Sequence, residues 1–231
     1  MVVGNVQRRR VVCMAAAMVM ALVPMALGRG TSVEDGTPTR SILIPMENGS
    51  FESPVVDPNG FPAVPYVAGW LEQDVDAKYS TNTGVFANTP PGSPDRMENA
   101  DGNQLAFLGS QQGNGLSQDL SARYKVDCAY RLTVGVGISQ RYPPSGLSPV
   151  GTIELVLYYV DGGERVDIVR ETVEATGLSS TQLEDFSVAL GAVQAGDAWA
   201  GKGIGVAIRA TGAAGGFWDL DHVRLTEVRR R

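Results

Sequence analysis

The sequence predicts an all-β protein that folds as one antiparallel β-sandwich domain. Several short segments alternate apolar residues with small or polar ones, which is the two-residue period of a half-buried strand. Pro, Asn, Asp and Gly are concentrated between these segments, as in turns and loops. The 3.6-residue period of a long amphipathic helix is absent from the sequence. Many short strands with polar connections are typical of sandwiches.

The predicted strands follow one another from residue 42 onwards. They lie within residues 42–44, 104–108, 115–120, 132–138, 153–160, 166–169, 186–190, 204–208 and 217–225. The alternation is clearest in the fourth, fifth and eighth of these segments. Asp161-Gly162-Gly163 separates the fifth from the sixth and predicts a tight hairpin, because glycine adopts positive φ without steric cost.

The first 28 residues have the composition of a secretory signal peptide. Arg8 to Arg10 form a basic segment, an apolar run covers residues 11–27, and small residues precede a junction after Gly28. An uncleaved membrane anchor is the alternative, but the run is shorter than the roughly 20 residues of a helical span. We therefore expect a protein that is secreted or held at the cell surface, without a membrane span after cleavage.

The remaining chain divides by composition into three parts. A flexible lead-in is expected over residues 29–40, the β-sandwich domain over 41–228 and a basic tail over 229–231. The whole chain has 25 Asp and Glu residues against 19 Lys and Arg, a formal net charge of −6. Because a negative chain repels phosphate backbones, nucleic acid is not expected as a partner.

Residues that nucleophilic and zinc-dependent enzymes use are scarce. Cys13 lies within the predicted signal peptide, so Cys128 has no intramolecular disulfide partner and is typical of a buried apolar residue. His222 is the single histidine, and the Gly-x-Ser-x-Gly motif of many hydrolases is absent. Zinc would require more His and Cys ligands than these. We therefore predict no catalytic residues and a protein that is not an enzyme.

Several motifs occur in a characteristic order along the chain. They are Asn48-Gly49-Ser50-Phe51-Glu52, Gly69-Trp70, Asp101-Gly102-Asn103-Gln104, Leu116-Ser117-Gln118 and a closing Trp218-Asp219-Leu220-Asp221-His222-Val223-Arg224-Leu225. With these motifs the chain resembles galactose-binding-like domains, a jelly-roll group that contains many carbohydrate-binding modules. The resemblance spans about residues 42–227 and implies an antiparallel jelly-roll β-sandwich, in which Trp70 and Trp218 are buried.

The same resemblance implies a structural calcium held by Glu52 and Asp221, between the first and last strands. Alternation places Asp221 on the face of Val223 and Leu225, which we expect to point inward. A buried carboxylate requires a partner, and carboxylates with backbone carbonyls suit a hard cation such as calcium. The alternative is that Glu52 and Asp221 accept backbone N–H bonds and hold no ion.

A ligand face is predicted on the strand faces opposite the core. Thr133 begins a strip that continues with two glycines, and Glu154, Tyr158 and Arg209 project from neighbouring predicted strands. Glycine within a strand can mark the close approach of a ligand. We therefore predict that Thr133, Glu154, Tyr158 and Arg209 bind a ligand. The alternative is a plain solvent face or one that the long loops cover.

These observations favour a secreted, non-catalytic domain that binds a polysaccharide or another glycan. One alternative is a structural or adhesive cell-surface protein that uses the sandwich for contacts with protein partners. A third possibility is an accessory domain that is associated with a hydrolase. All three rest on the analogy of fold, which does not determine function.

Overall fold

Twelve β-strands form the regular structure of the computed structural model, which describes residues 39–57, 63–73, 82–138, 151–213 and 215–230. The predicted signal peptide, most of the lead-in and the end of the basic tail lie outside these residues, so both they and export stay predictions. The strands are β1 (Thr39–Ile44), β2 (Ala63–Val64), β3 (Leu71–Gln73), β4 (Thr83–Ala87), β5 (Gln104–Gly109), β6 (Gly115–Arg123), β7 (Cys128–Ile138), β8 (Thr152–Asp161), β9 (Glu164–Glu174), β10 (Glu184–Leu190), β11 (Gly203–Ala210) and β12 (Phe217–Arg230).

The strands form two antiparallel sheets that pack into a sandwich. One sheet has seven strands in the order β10-β7-β12-β5-β4-β2, and β1 pairs with the second half of β12. The other has five strands in the order β3-β6-β11-β8-β9. The architecture confirms the predicted all-β sandwich and is consistent with a jelly roll. The described residues contain no helix that is long and apolar enough to cross a membrane.

The main core lies between the two sheets and is built from the alternating residues. Leu132 and Val134 of β7 and Leu155 and Leu157 of β8 are 0% exposed, as the period of two predicts. Trp218 is buried too, at 0%, as the family resemblance implied. The predicted hairpin is also confirmed, because β8 ends at Asp161 and β9 begins at Glu164 around two glycines with positive φ.

The turn after β1 is fixed by hydrogen bonds of Asn48 and by the packing of Phe51. Phe51 is 0% exposed and packs against Trp70, with ring centroids 5.5 Å apart. The Asn48 side chain donates to the carbonyls of Ser53 and Ala68, at 2.6 and 2.8 Å. Asn48 and Phe51 both have positive φ, which such local bonding and packing can stabilise.

A β-bulge in β12 changes the face on which its side chains lie. Against β7, Asp221 pairs with Gly135 but Arg224 pairs with Thr133, so β12 contains one extra residue, and His222 has a φ of 51°. Residues before and after a bulge exchange faces. Asp221 is 0% exposed as predicted, but the prediction that it shares the inner face of Val223 and Leu225 is wrong.

Candidate functional site

A carboxylate and an aromatic ring lie side by side on the outer face of the seven-stranded sheet, opposite the main core. Asp219 of β12 pairs with Gly137 of β7 on one side and with Phe107 of β5 on the other. Phe107 in turn pairs with Gly84 of β4. Cross-strand partners project to the same face, so the row consists of a carboxylate and a phenyl ring between two bare glycines.

A second apolar cluster covers this face. Its buried members are Phe86, Met97, Leu105 and Leu183, and Phe107 is half-buried against them. Phe107 also meets Phe217 edge to face, with centroids 5.8 Å apart. The seven-stranded sheet therefore packs apolar side chains on both of its faces, with the main core on one and this second cluster on the other. The outer face thus carries a largely buried cluster of aromatic and aliphatic side chains, which are the types that usually line a small-molecule site.

Asp219 gives this apolar surface a chemically active group. The residue is 4% exposed, and it follows Trp218 and precedes Leu220, both of which are fully buried in the main core. A carboxyl group can donate a proton to a bound molecule and take one back, which is the chemistry of general acid–base catalysis. Asp219 therefore lies where it could exchange a proton with an apolar molecule.

Asp221 lies two residues further along β12, on the same face, but in different surroundings. Its Oδ2 accepts a hydrogen bond from the Asp101 N–H and its Oδ1 one from the His222 N–H, each at 2.6 Å. The pKa of Asp221 is raised to about 8, mainly by burial and to a lesser extent by the charges of Asp101 and Glu52, whereas the two N–H bonds act to lower it.

Glu52 binds the same turn as Asp221. Its Oε1 accepts the N–H groups of Asn103 and Gln104, both at 2.7 Å, and Gly102 leaves room for the carboxylate because a Cβ there would lie 2.4 Å from Oε1. These N–H bonds are the ones expected from the alternative that Glu52 and Asp221 accept backbone N–H groups and hold no ion. A cation would nevertheless offset the two effects that raise the pKa of Asp221, which are its burial and, to a lesser extent, the charges of Asp101 and Glu52.

The described residues contain no group of three or more His, Cys, Asp and Glu that could hold a metal ion. Glu52 and Asp221 could therefore supply only two side-chain ligands, with backbone carbonyls or water as the others. Two carboxylates and neutral oxygens are a donor set that a hard cation accepts. The residues fit a cation in charge and donor type, and calcium stays a prediction.

The four predicted ligand-binding residues do not lie together. Thr133 belongs to β7 in the seven-stranded sheet, where its hydroxyl is 2.8 Å from that of Ser187. Glu154, Tyr158 and Arg209 belong to β8 and β11 in the five-stranded sheet, and Glu154 pairs directly with Arg209. The structure thus brings three of the four to one face and places Thr133 in the other sheet.

The three residues on the five-stranded sheet are engaged with neighbours. The two oxygens of Asp167 bind the guanidinium of Arg209 at 2.7 and 2.9 Å, and Glu154 faces Arg170 at 3.3 Å. Tyr158 is 0% exposed, and Arg165 lies over its ring at 5.2 Å from the centroid. Burial raises the pKa of the Tyr158 hydroxyl, and its hydrogen bond to an aspartate raises it further. That these residues bind a ligand stays a prediction.

The candidate residues that sequence reasoning missed are Asp219 and its neighbours Phe86, Phe107 and Phe217. The sequence analysis included the two glycines of β7 in its ligand face, but it combined them with residues that belong to the other sheet. A usable signal exists in the closing motif, where Asp219 alternates with Trp218 and Leu220. An acidic residue between two core residues of one strand points to the opposite face.

The comparison with known proteins concerns most of the sandwich. The family model described as HpiC1-like, HpiC1 cyclase, matches residues 42–226. No curated protein matches the chain in sequence.

Solved structures match the fold. The Stig cyclase Fisc from Fischerella sp. TAU, in complex with (3Z)-3-(1-methyl-2-pyrrolidinylidene)-3H-indole, is 19% identical, with a TM-score of 0.64 over 81% of this chain and 98% of that one. A cyclase from Fischerella sp. TAU in complex with 4-(1H-indol-3-yl)butan-2-one is 20% identical, with a TM-score of 0.63 over 82% of this chain and 100% of that one. The CBM22-1 xylan-binding domain of Paenibacillus barcinonensis Xyn10C is 14% identical, with a TM-score of 0.43 over 71% and 88% of the two chains.

The family match corrects the functional predictions. A non-catalytic carbohydrate-binding domain is wrong, as are the structural or adhesive protein and the accessory domain, because the matching family is one of cyclases. The prediction that the protein is not an enzyme is wrong for the same reason. The polysaccharide or glycan partner is also wrong, because the matching family is one of cyclases and not of carbohydrate-binding modules. Sequence reasoning looked for the His- and Cys-based motifs of nucleophilic and zinc-dependent enzymes, and the sequence does not contain them.

Proposed function

This chain belongs to the HpiC1-like cyclase family, and we propose that it closes a ring within a small aromatic molecule, with Asp219 as the proton-transferring residue. The observation that carries the proposal is the family match over residues 42–226. The row of Gly137, Asp219, Phe107 and Gly84 supports it with a place for the chemistry. This row combines a buried acid with an aromatic surface.

The proposed substrate class is an indole that carries an unsaturated side chain. Two of the matched cyclases hold indole compounds, at 19% and 20% identity to this chain. Phe107 and Phe217 are partly exposed and offer edges and faces on which a flat aromatic ring can pack. Neither glycine adds a side chain of its own to this row: the Phe107 ring lies over Gly84, and Met97 and Leu183 lie over Gly137.

A cyclisation of this kind is an isomerisation, so the product has the same molecular formula as the substrate. Protonated Asp219 gives its proton to an unsaturated carbon or an imine nitrogen of the side chain, which creates a cation. The indole ring supplies an electron pair to that cation, and the new bond closes the ring. The ring-closed cation then loses a proton to the Asp219 carboxylate, which restores the acid and needs no oxidant or co-reactant.

The surroundings of Asp219 also favour ring closure of the cation over its capture by water. Packed apolar side chains exclude water, which would otherwise capture the cation and yield an alcohol instead of a ring. The faces of the neighbouring phenyl rings carry negative electrostatic potential and attract positive charge. Met97 and Leu183 cover the Gly137 side of the row, and both are 3% exposed.

Calcium at Glu52 and Asp221 is the second part of the proposal. The ion would neutralise the carboxylates that bind the 101–104 turn and so fix that turn beside β12. The support is the buried position of Asp221 and the like charge of Glu52 near it. Its role is structural, since Asp219 alone is assigned to proton transfer.

The proposed activity is tested with Asp219→Asn. Purified protein is incubated with a set of indoles that bear alkene or imine side chains, and products of unchanged mass but altered retention are sought by liquid chromatography and mass spectrometry. Because asparagine cannot transfer a proton, we expect the rate to fall by about 10²–10⁴. Binding of 4-(1H-indol-3-yl)butan-2-one, measured by calorimetry, should change little.

Asp161→Asn is the matched control. Asp161 ends β8 on the other sheet, is 57% exposed at its side chain and pairs with Lys202. This variant should retain the full rate. A wild-type rate in Asp219→Asn would remove Asp219 from the mechanism, and a wild-type protein that neither binds nor isomerises any indole would remove the substrate class.

A further inference from the structure

Two loops meet over the outer face of the seven-stranded sheet, next to Asp219. The loop between β4 and β5 contributes Met97, and the loop between β9 and β10 contributes Leu183. They are joined by a parallel bridge between Glu98 and Gln182, in which the Leu183 N–H donates to the Glu98 carbonyl at 3.0 Å. The two loops therefore form one covering layer.

Met97 lies directly over the glycine that pairs with Asp219. A Cβ atom added to Gly137 would lie 3.1 Å from Met97 Cε and 3.3 Å from its Sδ, with Leu183 Cδ2 at 3.2 Å. Since Gly137 and Asp219 are cross-strand partners, their side-chain positions are about 5 Å apart. The thioether of Met97 thus forms the wall next to the carboxyl group on the Gly137 side.

The backbone of Met97 is held by one side chain. Asn88 donates from Nδ2 to the Met97 carbonyl at 2.8 Å and accepts from the Met97 N–H at Oδ1 at 3.0 Å. These two bonds give the loop a fixed position, while the Met97 side chain keeps three rotatable bonds and a polarizable sulfur. The wall is consequently fixed at its base and adaptable at its tip.

We propose that Met97 determines which substrates the site accepts, by limiting the space beside Asp219, and that Asn88 positions it. The proposal rests on the cyclase function and the indole class proposed above. Because residue 137 is a glycine, β7 contributes no side chain next to Asp219. The size of the side chain at position 97 therefore determines how much space is left beside the Asp219 carboxyl group. Sulfur against an aromatic ring adds a favourable contact for a flat substrate.

The test compares ligand size in Met97→Ala and Met97→Leu. The probes are 4-(1H-indol-3-yl)butan-2-one and its analogues with one isopropyl group at each position of the benzo ring, and the Kd of each is measured by calorimetry. Alanine vacates the volume of three heavy atoms. We expect the ratio of the parent Kd to that of at least one isopropyl isomer to rise about tenfold, a usual discrimination for one or two methylenes.

Leucine conserves the volume of methionine, so Met97→Leu should keep the wild-type ratio. Asn88→Ala should shift the ratio in the direction of Met97→Ala, because the wall loses its fixed base. Met46→Ala is the matched control: Met46 is half-buried against the main core and should leave the ratio unchanged. Loss of stability alone would weaken binding of all probes equally and would not alter their ratio.

The possible failures are distinguishable. If the wild-type protein binds none of the indoles, the substrate class fails and this inference fails with it. If the parent binds but every ratio in Met97→Ala stays within twofold of wild type, the inference alone is overturned. If Met97→Ala does not fold, Met97→Val provides the same comparison with a smaller loss of volume. An Asn88→Ala ratio equal to that of wild type would overturn the role given to Asn88.

Discussion

Replacement of Asp221 by asparagine separates the contribution of the charge from that of the hydrogen bonds. Asparagine keeps one carbonyl oxygen but presents an amide nitrogen in place of the other. One of the two N–H groups, of Asp101 or of His222, then faces a donor and is left unsatisfied. An unsatisfied buried N–H costs about 1–3 kcal/mol, and a domain of this size loses roughly 2–4 °C in Tm per kcal/mol.

The pH dependence follows from the raised pKa of Asp221, about 8 in the folded protein against an ordinary value of 3.8. Between these values the folded state binds a proton that the unfolded state has released. The free energy of unfolding therefore decreases as pH rises from about 4 to about 8, and this decrease stops above pH 8. Asp221→Asn removes this contribution, so its stability should depend less on pH in that range.

The assay is thermal unfolding in EDTA and in calcium, at several pH values between 5 and 9. In EDTA, the variant should melt several degrees below wild type at pH 5, and the difference should shrink towards pH 8. A cation replaces the proton on the ionised carboxylate, so calcium should raise the Tm of wild type strongly at pH 9 and weakly at pH 5. The variant should respond weakly at both.

Asp185→Asn is the control, because Asp185 is an exposed carboxylate that pairs with Arg224 on the same sheet. It should change neither the pH profile nor the calcium response. Equal pH profiles of Asp221→Asn and wild type in EDTA would refute the reasoning about the buried proton. An equal calcium response would refute the assignment of the ion to Asp221.

Two further predictions concern the turn after β1 and the face of the five-stranded sheet. Asn48→Ala removes three side-chain hydrogen bonds and should lower the free energy of unfolding by about 2–4 kcal/mol in urea, whereas Ser50→Ala should cost less than 1 kcal/mol; equal effects would contradict the role of the amide. Arg209→Ala breaks a partly exposed pair with Asp167 and should cost about 0.5–1 kcal/mol, with no change in the Kd of 4-(1H-indol-3-yl)butan-2-one; a large rise in that Kd would move the ligand site to this face.

Much of the fold could be predicted from the sequence because alternation is a local property. The period of two in β7, β8 and β11 identified their core residues, and the Asp161-Gly162-Gly163 turn identified a hairpin. The same period does not reveal which sheet a strand joins. Thr133 and Tyr158 both lie opposite core residues of their own strands, yet they belong to different sheets. Pairing partners depend on long-range contacts, which no local pattern encodes.

The candidate site was harder to predict than the fold for a similar reason. Asp219 becomes notable only when Gly137 and Phe107 are known to flank it, and these residues lie far from it in sequence. The bulge at His222 is equally hidden, since it is visible only as a register shift against β7. A strict period of two along β12 therefore gave the wrong face for Asp221 relative to Val223.

The bulge explains how one strand can serve both the core and the site. Before it, Trp218 and Leu220 fill the core while Asp219 and Asp221 lie on the outer face. A strand without the bulge would have to place Val223 on the outer face in order to keep Asp221 there. The extra residue returns Val223 to the core, and the Val223 N–H then donates to the carbonyl of Gly49 at 2.8 Å. That bond attaches the first turn, which precedes Glu52, to β12 two residues after Asp221. The same irregularity thus supports two aspartates of β12 in separate positions, with Asp221 bound to the turn and Asp219 next to Phe107.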